Sequence, residues 1–212
     1  WSSDVCSSDL KEKDKKLLGV PFAQFLKVNS EFRYHYKIDK NQMIASRIAG
    51  GVIWSYGNAT TAPYTEQFYI GGANSVRAFS ARSIGPGGYP PETDRKYTYI
   101  NHVGDIRIEA NIEYRFRMIA DLHGAVFLDA GNVWLMRKDE NRPDGEFTLK
   151  NFPKQIALGT GFGLRYDLDF LVFRLDLGIG LHDPYDTGKS GYYNIPKFKD
   201  SMALHFAIGY PF

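Results

Sequence analysis

Charged side chains occupy alternate positions along residues 105 to 117: Asp105, Arg107, Glu109, Glu113, Arg115 and Arg117, with Asn111 in the row. Side chains on an extended chain point to opposite faces with a period of two, so these carboxylates and guanidiniums share one face. Such a row suits ion pairing or acid–base work. Acid–base and nucleophilic catalysis need converging partners, and the rest of the chain offers none. His35, His102, His123, His182 and His205 fall without metal-ligand spacing, and no serine, histidine and aspartate set sits in a recognisable elbow. Asp129 can be read as a single acid or base, but structural ion pairing is the commoner role for such a carboxylate. The single cysteine, Cys6, gives neither a disulfide framework nor a thiol metal site. The expectation is a protein that is not an enzyme, with no catalytic residue, no metal and no cofactor.

The opposite face of the same segment carries Ile106, Ile108, Ala110, Ile112, Tyr114 and Phe116. One side seeks oil and the other seeks water or counter-charge. The final segment repeats the split, with Met202, Leu204, Phe206, Ile208, Tyr210 and Phe212 against Ala203, His205, Ala207, Gly209 and Pro211. Alternation marks seven strands, at 22–36, 42–56, 105–117, 122–136, 155–167, 171–182 and 202–212. Even positions face outward in the first five and the last; odd positions do so in 171–182.

A net charge of +2 over 212 residues does not separate a soluble protein from a membrane barrel. No stretch approaches the ~18–20 uninterrupted apolar residues of a membrane helix, so a spanning structure would be a barrel, which also satisfies every backbone polar group in lipid. Connections alternate between tight (37–41, 118–121, 168–170) and long (57–104, 137–154, 183–201), the asymmetry of periplasmic turns and external loops. Aromatics gather as two interfacial girdles: Tyr34, Tyr36, Tyr114, Phe116, Tyr166, Tyr210 and Phe212 near one interface, Trp54, Tyr56 and Trp134 near the other. The expected fold class is all-β: the C-terminal portion, about seven strands, of an antiparallel transmembrane β-barrel. A soluble antiparallel barrel or sandwich also alternates. Seven bulky apolar rows with a glycine-rich polar second face fit poorly into so small a soluble core.

Residues 1–16 read differently. Ser-Ser-Asp occurs twice within 1–10, each time followed by an aliphatic residue, and a charged run follows. This resembles a translated adapter scar, and 1–16 is set apart as an artefactual or disordered tail, with 17–212 as barrel. A flexible linker or a lipoprotein tether at Cys6 is the rival reading.

Residues 68–88 contain Phe68-Tyr69-Ile70-Gly71-Gly72, then Val76-Arg77-Ala78-Phe79, then Ile84-Gly85-Pro86; residues 127–134 contain Phe127-x-Asp129-x-Gly131-Asn132-Val133-Trp134. Together with the aromatic final strand, these motifs make residues 22–212 resemble the BamA/TamA-type outer-membrane assembly proteins, the bacterial surface antigen family. Val-Arg-x-Phe alone would be weak; the set is specific. Its wording is nearer the Bacteroidetes TamA-like lipoprotein branch than BamA. One departure is Ala78, where the family usually has glycine, a change that negative φ would tolerate.

The resemblance implies that the loop folds back into the lumen and that Arg77 binds Glu113 and Asp129. The residues agree, since both carboxylates occupy inward positions of adjacent strands and a guanidinium presents a planar fork of donors. Arg77 as one more solvated loop cation remains the alternative. The resemblance further implies an insertase or translocation factor that assembles β-barrel proteins in the outer membrane of a Gram-negative cell. Its partners would be the lipid bilayer, client barrels, and periplasmic TamB-like or lipoprotein partners, with no nucleic acid. A weak seam at Phe206, Ile208, Gly209, Tyr210 and Phe212 would serve as gate, since glycine and proline weaken pairing there. The same residues read equally as an ordinary barrel assembly signal. A two-partner-type secretion pore and the barrel anchor of a periplasmic lipase are the alternative functions.

Overall fold

The computed structural model describes residues 16–17, 20–90, 102–168, 170–196 and 198–212. The set-apart residues 1–15, Cys6 among them, lie outside the described residues. A short antiparallel pair, β1 (Lys16–Leu17) and β2 (Val20–Pro21), precedes one sheet of seven strands. These are β3 (Gln24–Lys37), β4 (Gln42–Tyr56), β5 (Ile106–Ile119), β6 (Leu122–Trp134), β7 (Ala157–Asp167), β8 (Val172–His182) and β9 (Met202–Ile208). Each pairs antiparallel with its chain neighbour, in the order β3-β4-β5-β6-β7-β8-β9. No helix among the described residues is long and apolar enough to cross a membrane.

Strand length follows from the β-branched and aromatic residues on the outward face, which pack well on a pleated surface. On β4 exposure follows the alternation. Ile48 and Trp54 are 62% and 58% exposed, whereas Ala45 and Ala49, between and before them in the row on the other face, are 0% and 1%. The tight turns set the register. Lys37 faces Met43 across the first, Arg117 faces His123 across the second and Asp167 faces Val172 across the third. Residues directly opposite share a face, so Arg165 opposite Arg174 turns the inward set from odd positions on β7 to even positions on β8. Arg174 opposite Ala207 turns it back on β9.

Three expectations are corrected. The last strand does not run to residue 212: β9 ends at Ile208, because Gly209 has φ of 85°, a left-handed conformation that ends the extended run. Phe212, expected on the outward face, is 7% exposed, with the guanidiniums of Arg47 and Arg115 at 5.3 and 5.6 Å from its ring. Trp134, expected as an interfacial anchor, is fully buried beneath Phe147 and Phe152, whose ring centroids lie at 5.5 and 5.3 Å. Its Nε1 donates to Gln155 Oε1 at 2.9 Å, so the loop after β6 has folded over it.

The inner face is also less uniformly wet than alternation implies. Ile53 and Val133 of the wall pack with Phe68, Ile70, Val76 and Ile84 of the β4–β5 connection, forming an apolar cluster between loop and sheet.

Candidate functional site

The β4–β5 connection returns over the inner face and is pinned at three levels. At its start Phe68 and Gly104 exchange backbone hydrogen bonds, both 2.9 Å, which closes the segment into a long loop. Within it, Gly72 N donates to Phe79 O at 2.8 Å and Arg82 N to Ile70 O at 3.0 Å, so residues 70–82 form a compact turn with close ends. Gly71 and Gly72, with φ of 97° and 89°, permit that reversal. Further on, Gly87 N donates to Val133 O at 2.7 Å, and Asn132 Nδ2 to Gly87 O at 2.9 Å, so Asn132 of the second sequence motif holds the Gly85-Pro86-Gly87 stretch of the first.

Val76, Arg77, Ala78 and Phe79 stand at the tip of the turn, against β5 to β9. Arg77 is completely buried. Its Nε and Nη2 donate to Asp129 Oδ2 and Oδ1 at 2.8 and 2.9 Å, a bidentate pair, and its backbone N–H donates to Oδ2 at 3.0 Å. Nη1 donates to Glu113, and the guanidinium lies 3.5 Å from the centroid of the Phe127 ring. The expected trio of Arg77, Glu113 and Asp129 is therefore assembled. Ala78 is accommodated without positive φ, which removes the objection to alanine there. Val76 is buried in the apolar cluster, against which Phe79 packs.

The cluster is larger than the sequence motif. Glu113 Oε2 also accepts from Arg165 Nη2 at 3.1 Å and Oε1 from Arg115 Nε at 2.7 Å. Arg165 Nη1 reaches Asp176 Oδ1 at 2.5 Å, and Arg174 Nε lies 3.5 Å from Asp176 Oδ2. Asn111 Nδ2 donates both to Asp129 Oδ1 at 2.8 Å and to Ser75 O at 3.0 Å, tying carboxylate to loop backbone. From β9, His205 Nε2 donates to the Arg77 carbonyl at 2.8 Å. The inward positions of Arg165, Arg174 and Asp176 were visible in their strand parity. That Arg165 reaches Glu113 and shares Asp176 with Arg174 was not, because those contacts depend on sheet curvature.

Glycines make room for the loop. A Cβ at Gly178 would meet the Arg77 carbonyl, one at Gly159 would meet Ala78, and one at Gly161 would meet the Phe127 ring. Small inward residues on β7 and β8 thus form the floor on which the loop backbone lies.

On the side of the long loops, His182 bonds through Nδ1 to Tyr192 O at 2.8 Å and through Nε2 to Lys154 O at 2.9 Å. Asn194 brackets Asp183, accepting from its N–H at 2.7 Å and donating to its carbonyl at 2.9 Å. Burial pushes the Asp183 carboxyl up, opposed by His182 and a hydrogen bond from Tyr185; burial and Asp183 together push the Tyr185 hydroxyl up to about 12. In the preceding loop burial works against charge on Asp139, but the hydrogen bond from Arg142 outweighs it with its fellows and holds that carboxyl below its usual range. Among the described residues no group of three or more His, Cys, Asp or Glu is arranged to hold a metal ion.

Of the five expected seam residues, Phe206 and Ile208 lie outward at 67% and 62% exposure, with Phe206 stacked on Phe173 at 6.1 Å. Gly209 marks the bend. Beyond it Tyr210 and Phe212 leave the outward row: the Arg115 guanidinium lies 4.5 Å from the Tyr210 ring, and Arg115 Nη2 donates to Phe212 O at 3.2 Å.

Comparison with known proteins places this arrangement. The Omp85 superfamily domain matches residues 19–212. The outer membrane protein assembly factor BamA of Nitratidesulfovibrio vulgaris strain Hildenborough is 27% identical over 184 residues, which is 86% of this chain and 20% of that protein. BamA of Neisseria meningitidis serogroup B is 29% identical over 89 residues, 40% of this chain and 11% of that protein. In structure, the chain is similar to BamA from Haemophilus ducreyi lacking POTRA domains 1–3, with a TM-score of 0.60 at 17% identity, covering 88% of this chain and 35% of that one. The chain thus spans about a fifth of the length of the first of these relatives.

Proposed function

Because the chain belongs to the Omp85 superfamily and its strands lie in the outer membrane of a Gram-negative cell, we propose that it is the C-terminal part of a barrel that inserts and assembles β-barrel proteins there. Client barrels, the bilayer, and periplasmic TamB-like or lipoprotein partners are the partners this reading assigns. The observation that carries it is the short, interrupted edge at β9. Only seven residues, Met202–Ile208, form this strand, against eleven in β8. Register with β8 runs from Ile179↔Met202 to Phe173↔Ile208, and Gly209 then bends the chain inward. A strand edge presents unpaired N–H and C=O groups, and a client strand can add to it by β-augmentation. The buried loop supports the same reading, because it braces the wall on the inner side while the edge stays thinly paired.

The test is a seal. With the neighbouring strand of the closed barrel present, a disulfide from Phe206→Cys to that strand leaves the barrel folded and abolishes insertion of client barrels into proteoliposomes, with activity returning on reduction. Client insertion unchanged in the oxidised form rejects a working seam at β9.

A further inference from the structure

At the long-loop end of β8, His182 is held between two loops. Its Nδ1 lies 2.8 Å from the Tyr192 carbonyl oxygen, in the β8–β9 loop, and its Nε2 lies 2.9 Å from the Lys154 carbonyl oxygen, in the β6–β7 loop. Carbonyl oxygens only accept. A neutral imidazole has one N–H and one bare nitrogen, so it satisfies one carbonyl and sets a lone pair against the other; the imidazolium donates to both. The residue is 8% exposed, which leaves water little room to take over the second bond. Two neighbours favour the charged ring. Tyr192 stacks on it at 4.7 Å and 12°, offering the aromatic face that attracts a cation. Asp183, next in the chain, supplies opposite charge and is itself bonded by the Tyr185 hydroxyl. The other charged groups of the two loops are turned elsewhere: Lys189 donates to Ile195 O and lies over the Tyr193 ring, Asp186 accepts from Gly188 N, and the Asp144 and Lys154 residues are exposed.

We propose that doubly protonated His182 is a clasp that holds the β6–β7 and β8–β9 loops together, and that loss of one proton opens it. Long connections mark the external side of outer-membrane barrels, so the clasp answers to the pH of the medium outside the cell. Two features depend on it. Lys154 ends the short turn Phe152–Lys154, whose Phe152 covers Trp134, and the loop that carries Tyr192 runs on into the β9 edge. The sign follows from which form makes both bonds. Loop order is complete while the ring is charged and falls as pH rises and the ring gives up a proton, because one of the two carbonyls then faces a bare nitrogen.

Amide hydrogen exchange followed by mass spectrometry, on the full-length protein in nanodiscs, reads the clasp once labelling times are scaled for the chemical dependence of exchange on pH. Peptides covering 150–156 and 186–196 are expected to be about tenfold more protected at about pH 5.5 than at about pH 8, the size of one charge-assisted hydrogen bond. His182→Phe keeps a ring to stack on Tyr192 and removes both donors, so its protection should sit at the alkaline level at both pH values. Asp183→Asn should retain the pH response. Equal protection of the unmodified protein at the two pH values overturns the proposal. So does a response that survives His182→Phe, and so does one that vanishes in Asp183→Asn, which hands the titration to that carboxyl. The unmodified protein and the asparagine variant decide the matter even where the phenylalanine variant fails to fold.

Discussion

Glu113 is the carboxylate on which the inner wall converges: Arg77 arrives from the loop, Arg115 from two positions along the same strand, and Arg165 from two strands away. All but Arg115 are completely buried. In so dry a setting, removing one member leaves the rest without compensation, which is costlier than the pair's net contribution. Arg77→Ala takes from Asp129 its bidentate cation and from Glu113 one of three guanidiniums, and should destabilise the barrel by about 3–5 kcal/mol. The readout is a lower temperature at which the folded band converts to the unfolded band on semi-native electrophoresis. Arg77→Lys restores the charge but not the fork that bridges two carboxylates, so it should recover only part of the loss. Equal melting of both variants and the unmodified protein would remove the ion cluster from any account of stability.

At the level of strands, Gly209 decides where pairing stops and where the chain end goes. Alanine in its left-handed conformation costs ~1 kcal/mol or more, which favours a straighter tail. A flexible bis-maleimide cross-link between Phe212→Cys and Arg47→Cys, with Cys6 replaced by serine, reports the inward tail. Adding Gly209→Ala should slow its formation about fivefold, and an unchanged rate would show that the bend is set elsewhere. Strand positions and faces were legible in the sequence because lipid demands an unbroken apolar row, and rows such as Ile106 to Phe116 cannot hide. The Arg77 contacts were legible through the motif resemblance, supported by the inward parity of Glu113 and Asp129 on adjacent strands. Weak pairing at Gly209 was legible, since glycine permits a bend, but the inward turn of Phe212 beyond it was not, because its parity continues the outward row. Trp134 was misplaced for a related reason: its parity is outward, and only the loop carrying Phe147 and Phe152 withdraws it from the surface. The inward glycines were noticed as small residues, but their purpose depends on a loop that arrives from over a hundred positions away, counting from Gly178 to Arg77.

For the whole molecule, hydrocarbon replaces the missing core. Apolar side chains that a soluble protein would bury are exposed along entire faces, including Leu204, Phe206 and Ile208 at 62–67%, and the buried inner side combines an ionic cluster with the apolar packing of Ile53, Ile70, Val76 and Val133. An arginine at Leu128, midway along β6 and facing outward, should therefore destabilise the barrel by about 2–4 kcal/mol in bilayers, as charges near the midplane of a barrel wall do. Urea titration in liposomes measures this, and a neutral result would place that face in water. One bond across the interior has a mechanical corollary. His205 belongs to the edge strand, yet its ring donates to the carbonyl of Arg77, on a loop whose side chain is fixed to β5 and β6. Peeling β9 from β8 must therefore also unhook it from this internal strut, so the stiffness of the edge is set partly by residues lying on the far side of the sheet.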